Sequence, residues 1–317
     1  MVQVDRAFTG MWSQDDPAAA DSSVSRAGSP HLEPNIRRIT ESDTTACGSV
    51  CYHAFATIAQ QHSFPADFPS IDVATTLVSS LIQHPKFYGV VADVEAEVVG
   101  ANFLDERSTI SSVGPITVDP RTQNRRVGRM LMAAVLQRSA QINAPGVRLV
   151  QAAYHNRSMS LYAKFGFQVR ESLAVMSGQP LRTHLPGYPV RAATAEDLTV
   201  CNLLCYRVHG HDRAGELIDA LTAGTASVVE RGNRITGYTT GVGFYGHSVG
   251  ESDDDIVALI AAAEQFGSGE GFIVPLSNNN LMRWCLARRF WVSYMVNLMS
   301  LGLYQQPRGA FLASIGY

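Results

Sequence analysis

The sequence predicts a mixed α/β fold, of the α+β kind, built as two similar halves. Three observations predict it. Helical and strand-like patterns alternate, with an antiparallel meander followed by strand–helix units. A set of residues recurs in the second half at unchanged mutual spacing. The chain has 317 residues, and at roughly 150 residues per domain that length suits two domains, each able to bury a core.

Residues 1–34 are rich in Ser, Ala, Asp and Pro without apolar periodicity, and read as a disordered tail. Thr40 and Asp43 then form a Thr-x-x-Asp capping signal for a helix over 40–54. A second helix is predicted over 74–83. Strands follow over 87–91, 98–104 and 112–118, the first two joined by a short polar turn. A helix over 128–142, a strand over 147–153 and a helix over 158–164 complete the first half.

The repeat has two parts. Arg37, Thr40, Asp43, Cys47, Cys51 and Tyr52 share their spacing with Arg191, Thr194, Asp197, Cys201, Cys205 and Tyr206. Further on, NRSMSLYAKFGF (156–167) is echoed by NNLMRWCLARRF (279–290). The Gly/Pro-rich stretch 178–189 separates the halves, giving domains at 35–182 and 183–317.

Composition excludes several classes. A formal net charge of -3 lacks the basic excess of a nucleic-acid binder. No apolar run reaches the ~18–20 residues of a membrane span, and the N-terminus has no secretory pattern. Five cysteines, Cys47, Cys51, Cys201, Cys205 and Cys285, are an odd number without zinc-site spacing. The expectation is a cytoplasmic protein without a metal.

Two segments carry chemistry. The first is VDPRTQNRRVGRMLM (118–132), a polar loop between a strand and a helix. Such a loop aims unpaired N–H groups and the positive end of the helix dipole at one point, which suits a phosphate. Gly128 admits close approach, and Arg125, Arg126 and Arg129 add charge; a solvated helix cap would show the same residues. The second is HNRSMSLYAKFGF (155–167), after the strand RLVQAA. Asn156 sits at the helix entry, Tyr162 lies one turn beyond Ser158, Leu161 and Phe165 face the core, and Gly166 ends the helix. Taken alone, Tyr162 reads as a half-buried packing residue and Asn156 as a cap.

Together the segments resemble the GCN5-related N-acetyltransferase (GNAT) superfamily. Its cofactor loop, Gln/Arg-x-x-Gly-x-Gly/Ala, is matched in frame by Gln123 to Gly128, and its Asn…Leu-Tyr…Gly-Phe motif by Asn156, Leu161, Tyr162, Gly166 and Phe167. Arg126 departs from the pattern, standing where the first loop glycine is expected. If the position needs positive φ, arginine there costs on the order of 1 kcal/mol; if not, it can pair with a phosphate. The two halves and the ending PRGAFLASIGY resemble a tandem subgroup with a degenerate C-terminal domain. Each domain is then expected to be a mostly antiparallel twisted sheet with a splayed central strand pair and flanking helices.

The resemblance implies an acetyl-CoA-dependent N-acetyltransferase that acts by direct attack in a ternary complex, on a small-molecule or peptide amine. The backbone of Ile116, Thr117 and Val118 would polarise the thioester. Gln123, Asn124, Arg125, Arg126, Val127, Gly128, Arg129 and Met130 would hold the pyrophosphate, Asn156 the pantetheine arm, and Tyr162 would protonate the leaving thiolate. Asp105, Glu106, Asp119 and His155 are candidates for the base. The alternative is a non-catalytic acyl-CoA-binding protein of the same fold.

In the second half, Cys285 stands at the Tyr162 position and Arg289 at the Gly166 position. Glu251, Asp253, Asp254 and Asp255 open its long helix, where carboxylates repel a pyrophosphate. This half is expected to close the acceptor side of the cleft, with Phe244, Tyr245, Trp284, Trp291 and Tyr294 as candidates to line it, and Cys285 as an inert core thiol. Oligomeric state is open, a homo-oligomer included.

Overall fold

Asp43 and Asp197 begin the two halves with the same device. In the computed structural model, which describes residues 33–123, 125–267 and 271–317, Asp43 accepts from the N–H and hydroxyl of Thr40, both at 2.9 Å, and from both terminal nitrogens of Arg37, at 2.8 and 2.7 Å. Asp197 holds Thr194 at 2.8 and 3.1 Å and Arg191 at 2.7 and 2.9 Å. Both are complete capping boxes on a short 3-10 turn, each supplying about 1 kcal/mol of N-terminal stabilisation. The predicted tail lies outside the described residues except for its last two.

The first half runs β1 (Asn35–Arg38), α1 (Thr44–Gln61), α2 (Ile71–Gln83), β2 (Phe87–Val94), β3 (Glu97–Asp105), β4 (Ser111–Val113), β5 (Thr117–Val118), α3 (Val127–Gln141), β6 (Gly146–Ala152), α4 (Asn156–Lys164) and β7 (Gln168–Ser177). The second runs β8 (Val190–Ala192), α5 (Leu198–His209), α6 (Ala214–Ala223), β9 (Ser227–Arg231), β10 (Arg234–Thr239), β11 (Ser248–Gly250), α7 (Asp253–Ala262), β12 (Phe272–Pro275), α8 (Asn279–Ala287), β13 (Trp291–Gly302) and β14 (Ala310–Leu312). The mixed α/β class is as expected, and every predicted element of the first half is present. One is divided: the strand expected over 112–118 stops at Val113, because Gly114 at φ +141 and Pro115, which has no N–H, interrupt the ladder.

Strand alternation sorts the first core into two layers. Val90, Ala92 and Val99 pack with Val127, Leu131, Met132 and Val135 of α3. Val91, Ala101 and Phe103 pack on the other face with Cys47, Cys51, Ala74 and Val78 of α1 and α2. Leu131 and Met132 are fully buried, and each contributes about 2 kcal/mol by leaving water. Gly100 lets β5 and α3 close on β3, since a Cβ there would sit 2.8 Å from the Thr117 carbonyl and 3.0 Å from Leu131.

The halves exchange strands. One sheet runs β1-β2-β3-β4-β6-β13-β7-β12, with β5 paired to β3, so β13 of the second half lies between β6 and β7 of the first. In return β7 lies between β12 and β13. A second sheet runs β14-β11-β10-β9-β8, and a bridge from Ala313 to Ile273 ties it to β12. Residues 34–317 accordingly form one compact unit.

Candidate active site

The splay begins where β4 leaves β6. These strands are parallel for two pairs only, Ser111 with Val147 and Ser112 with Arg148. Beyond them the chain turns away to pair as β5 with Gly100 and Ala101, while β6 continues to Ala152. The gap so formed faces the first turn of α3. N–H groups of that turn have no carbonyl within the helix to bond, and the helix dipole adds positive potential there. The Met130 N–H is an exception, given to the Arg126 carbonyl at 3.0 Å.

Gly128 lies at the centre of this turn. A Cβ there would meet only Leu161 at 3.5 Å and Val118 at 3.8 Å, ordinary contacts. The protein's packing therefore does not require glycine, whereas a ligand lying against the backbone does. Arg126, the N-cap, has φ +63 and ψ 3. The positive-φ case is the one realised, at a cost of about 1 kcal/mol. Arg125, Arg126 and Arg129 are exposed, and none forms an ion pair among the described residues. Val127 is buried in the core and offers the cleft only its backbone. Gln123 accepts a hydrogen bond from Arg157 of α4, tying the loop to the second motif. Asn124 lies outside the described residues.

Asn156 is the exposed first residue of α4, with His155 as its N-cap. Tyr162 is 7% exposed on the inner face of α4, with Phe167 at 6.2 Å between ring centres and the Val127–Leu131 cluster beside it. Burial pushes its phenol well above the usual tyrosine value, so it keeps its proton at neutral pH. Gly166 takes φ +88 at the helix end, and its counterpart Arg289 takes φ +65.

The four base candidates separate by their partners. Asp105 is held by Arg107 at 2.7 Å, Glu106 by Arg138 at 2.7 Å and Asp119 by Arg121 at 2.6 Å. The Asp119 carboxyl is pulled below its ordinary range, first by the Arg121 hydrogen bond. His155 differs: burial, then the charges of His62 and Arg157, lower its pKa, leaving a neutral imidazole at the N-cap of α4.

Beside His155 the halves meet in an aromatic cluster. Phe64, from the segment between α1 and α2, stacks on Tyr154 at 4.4 Å. Tyr294 of β13 meets both edge-on, at 5.9 and 6.1 Å, and Phe244 packs in the same cluster. Of the five aromatics expected to line the cleft, Phe244 and Tyr294 are here. Tyr245 and Trp291 are exposed, and Trp284 packs against Phe290 and Arg288. Sequence reasoning missed Phe64 and Tyr154. They come from a loop and a strand end, where no periodicity marks a side chain's direction.

The second half's splay is filled by protein. Strand β14 pairs with β11 through Ser248–Leu312, Val249–Phe311 and Gly250–Ala310 and bridges to β12 at Ala313. It thus occupies the counterpart of the gap that stays open between β5 and β6 in the first half. The first turn of α7 carries Asp253, Asp254 and Asp255. Asp255 is fully buried, bonding Ser252 and Thr236. A polar cavity of about 480 Å³ is lined among others by Asp253, Asn278, Asn279 and Arg283. Cys285 is fully buried and its thiol is pushed up to about 12 by burial, so it is protonated and unreactive.

Comparison with known proteins agrees with this architecture. The family model for the acetyltransferase (GNAT) domain matches residues 85–169. No curated protein matches the sequence. Among solved structures, a Pyrococcus horikoshii protein assigned as an acetyltransferase is similar over 93% of this chain and 99% of its own, at 16% identity and TM-score 0.70. A GCN5-related N-acetyltransferase from Sphaerobacter thermophilus covers 86% of this chain and 96% of its own, at 14% identity and TM-score 0.58. A tandem GNAT protein of the clavulanic acid biosynthesis pathway covers 85% and 98%, at 13% identity and TM-score 0.53. Residues 85–169 match the GNAT domain model, and the chain has the fold of these tandem GNAT structures. No helix among the described residues is long and apolar enough to cross a membrane, and no group of His, Cys, Asp and Glu among them could hold a metal.

Proposed function

We propose that the chain is a cytoplasmic N-acetyltransferase with one acetyl-CoA site, in the first half, and that the second half walls the acceptor cleft. The observation that carries this reading is Gly128, a first-turn glycine with no packing reason to be one, set between Val118 and Leu161 at the splay. The domains are 35–182 and 183–317, joined through the exchanged strands.

Acetyl-CoA lies in the gap between β5 and β6. Its pyrophosphate takes the N–H groups of residues 125–129 and the unpaired charges of Arg125, Arg126 and Arg129, with Gln123 and Asn124 at the loop. The pantetheine arm passes Asn156. The thioester carbonyl lies against the backbone of Ile116, Thr117 and Val118, which stabilises the tetrahedral oxyanion. A primary ammonium enters between Phe64, Tyr154, Phe244 and Tyr294 and gives a proton to the neutral imidazole of His155. The free amine then attacks the carbonyl carbon, the C–S bond breaks, the departing thiolate takes the phenolic proton of Tyr162, and the proton released from the new amide nitrogen restores the phenol. Holding both reactants in one complex supplies much of the acceleration.

Calorimetric titration with acetyl-CoA tests the site. Wild type should bind near one equivalent per chain, and Gly128→Glu, which places a carboxylate where the pyrophosphate lies, should bind none while its melting temperature stays within about 2 °C. Absence of binding to the wild type would sink the reading. Two equivalents would show that β14 yields its place in the second half.

A further inference from the structure

Gln151, the last residue but one of β6, is buried. A buried amide costs free energy unless its donors and its acceptor are filled, and here both ends are. The nitrogen donates to the carbonyls of Ala152 and His155, the latter at 2.9 Å, and to the Ser158 hydroxyl at 3.1 Å. That hydroxyl in turn donates to the His155 carbonyl at 2.9 Å. Backbone bonds from the His155 N–H to Ala152 at 2.9 Å and from the Asn156 N–H to Tyr154 at 3.1 Å close the same turn. One side chain thus clamps the junction of β6 and α4, the turn that carries His155 and Asn156.

The oxygen of that amide is held from the other half. Asn297 of β13 stands opposite Gln151 on one side and opposite Ser172 of β7 on the other. Its nitrogen donates to Gln151 Oε1 at 3.3 Å, and its oxygen accepts from the Ser172 hydroxyl at 3.2 Å. Main-chain carbonyls can only accept, so those of Ala152 and His155 decide which end of the Gln151 amide faces α4. The oxygen must then face β13, which calls for the Asn297 nitrogen there and a donor, Ser172, beyond it. Reversing either amide would set like groups against each other.

We propose that Gln151 and Asn297 are positioning residues for acetyl transfer: Asn297 of the second half orients the Gln151 amide and, through it, fixes where His155 and Asn156 stand at the cleft of the first. The consequence for catalysis rests on the acetyl-transfer reading; the clamp itself does not. Hydrogen bonds that polarise one another in a dry interior hold a turn more firmly than solvated ones. Direct attack needs groups held to within about 0.5 Å. The second half then does more than wall the cleft, since one of its side chains sets the register of the proposed base.

NMR titration of the His155 imidazole in the full chain tests the clamp. In Asn297→Leu, which keeps the shape and removes the bonds, the midpoint should rise towards the ordinary histidine value. A loosened turn lets water reach a ring that burial now shields, while His62 and Arg157, the charges that act on the ring, are unchanged. An unmoved midpoint would overturn the proposal, whether or not the chain binds acetyl-CoA. Kinetics with acetyl-CoA and 2-phenylethylamine test the consequence. Asn297→Leu and Gln151→Met should each lower kcat by about tenfold to a hundredfold with acetyl-CoA Kd within about threefold of wild type, since the contacts on α3 are untouched. The double variant should be no slower than Gln151→Met, because Asn297 acts through Gln151; costs that multiply would break the chain. Ser293→Ala removes a bond to Ser177 between the same two strands, β13 and β7, and should leave kcat as it is. An equal fall in Ser293→Ala and Asn297→Leu would reduce Asn297 to a tie between strands. No transfer by wild type would count against the acetyl-transfer reading, and the His155 midpoint then decides the clamp alone. Should neither clamp variant fold, hydrogen exchange of the Gln151 side-chain amide in wild type decides, and exchange as fast as that of a solvated glutamine is equally fatal.

Discussion

Tyr162 owes the protonated state that its proposed role requires to the burial that makes it a core residue. The phenol is enclosed with Val127, Leu131 and Phe167 and stays neutral at any physiological pH. It can serve a thiolate forming beside it but cannot supply a charge. Tyr162→Phe keeps the packing and removes the proton, so turnover should fall about a hundredfold while acetyl-CoA affinity changes less than threefold. A large loss of affinity in titration would instead make the tyrosine structural. His155 makes the complementary prediction. Its pKa lies below 6.5 because burial disfavours the charged form, so the imidazole remains a free base down to that lowered value. The acid limb of kcat/KM should therefore fall below pH 6.5, with activity lost as the pH drops through it. His155→Asn should remove the limb; a limb unchanged in the variant would assign the base elsewhere. Arg126 shows what a single residue made legible. The loop frame marked it as a position for glycine, and the backbone there takes φ +63, so arginine bears the strain and in return places a guanidinium at the mouth of the proposed phosphate site.

At the scale of elements, the twin capping boxes are the clearest trace of duplication, since each spends two side chains on one helix entry. Arg37 and Thr40 hold the Asp43 carboxyl at about 2, Arg37 acting first through its hydrogen bonds, and Arg191 and Thr194 do the same for Asp197. Unfolded aspartate titrates near about 3.9, so the folded value is the depressed one. The stabilisation is present above pH 4 and is lost as the pH falls through the interval from about 4 to 2. Asp43→Asn and Asp197→Asn should each cost about 1 kcal/mol at pH 7 and almost nothing near pH 2, measured by denaturant melts. The two costs should add, since the boxes share no residues. A cost independent of pH would mean that shape, not charge, makes the cap. These caps could be read from the sequence because both partners lie within seven residues. The break in the strand expected over 112–118 was marked only by Gly114 and Pro115. The first helix ran past its expected end to Gln61, since no glycine or proline follows Ala54 until Pro65.

The whole molecule is held together by what the sequence could not display, the partner of each strand. Alternating burial announces that a segment is a strand but not which neighbour fills its edge, and β13 finds that neighbour in the other half. It hydrogen-bonds β6 from Gly146 to Ala152 on one side and β7 from Gln168 to Ser177 on the other. Cutting the chain at residue 182 would therefore leave β6 and β7 without the strand between them and expose Val150, Leu173 and Val175 of the shared core. Open apolar edges of that kind pair with other chains. A fragment of residues 34–182, although it contains every proposed acetyl-CoA contact, should be aggregated or unfolded by size exclusion and circular dichroism. Co-expressed with residues 183–317, it should be recovered in a soluble one-to-one complex that binds acetyl-CoA. A monomeric, folded fragment binding acetyl-CoA alone would show the exchange to be dispensable. If only the pair binds, the proposed site of the first half depends on the strand with which the second half completes its sheet.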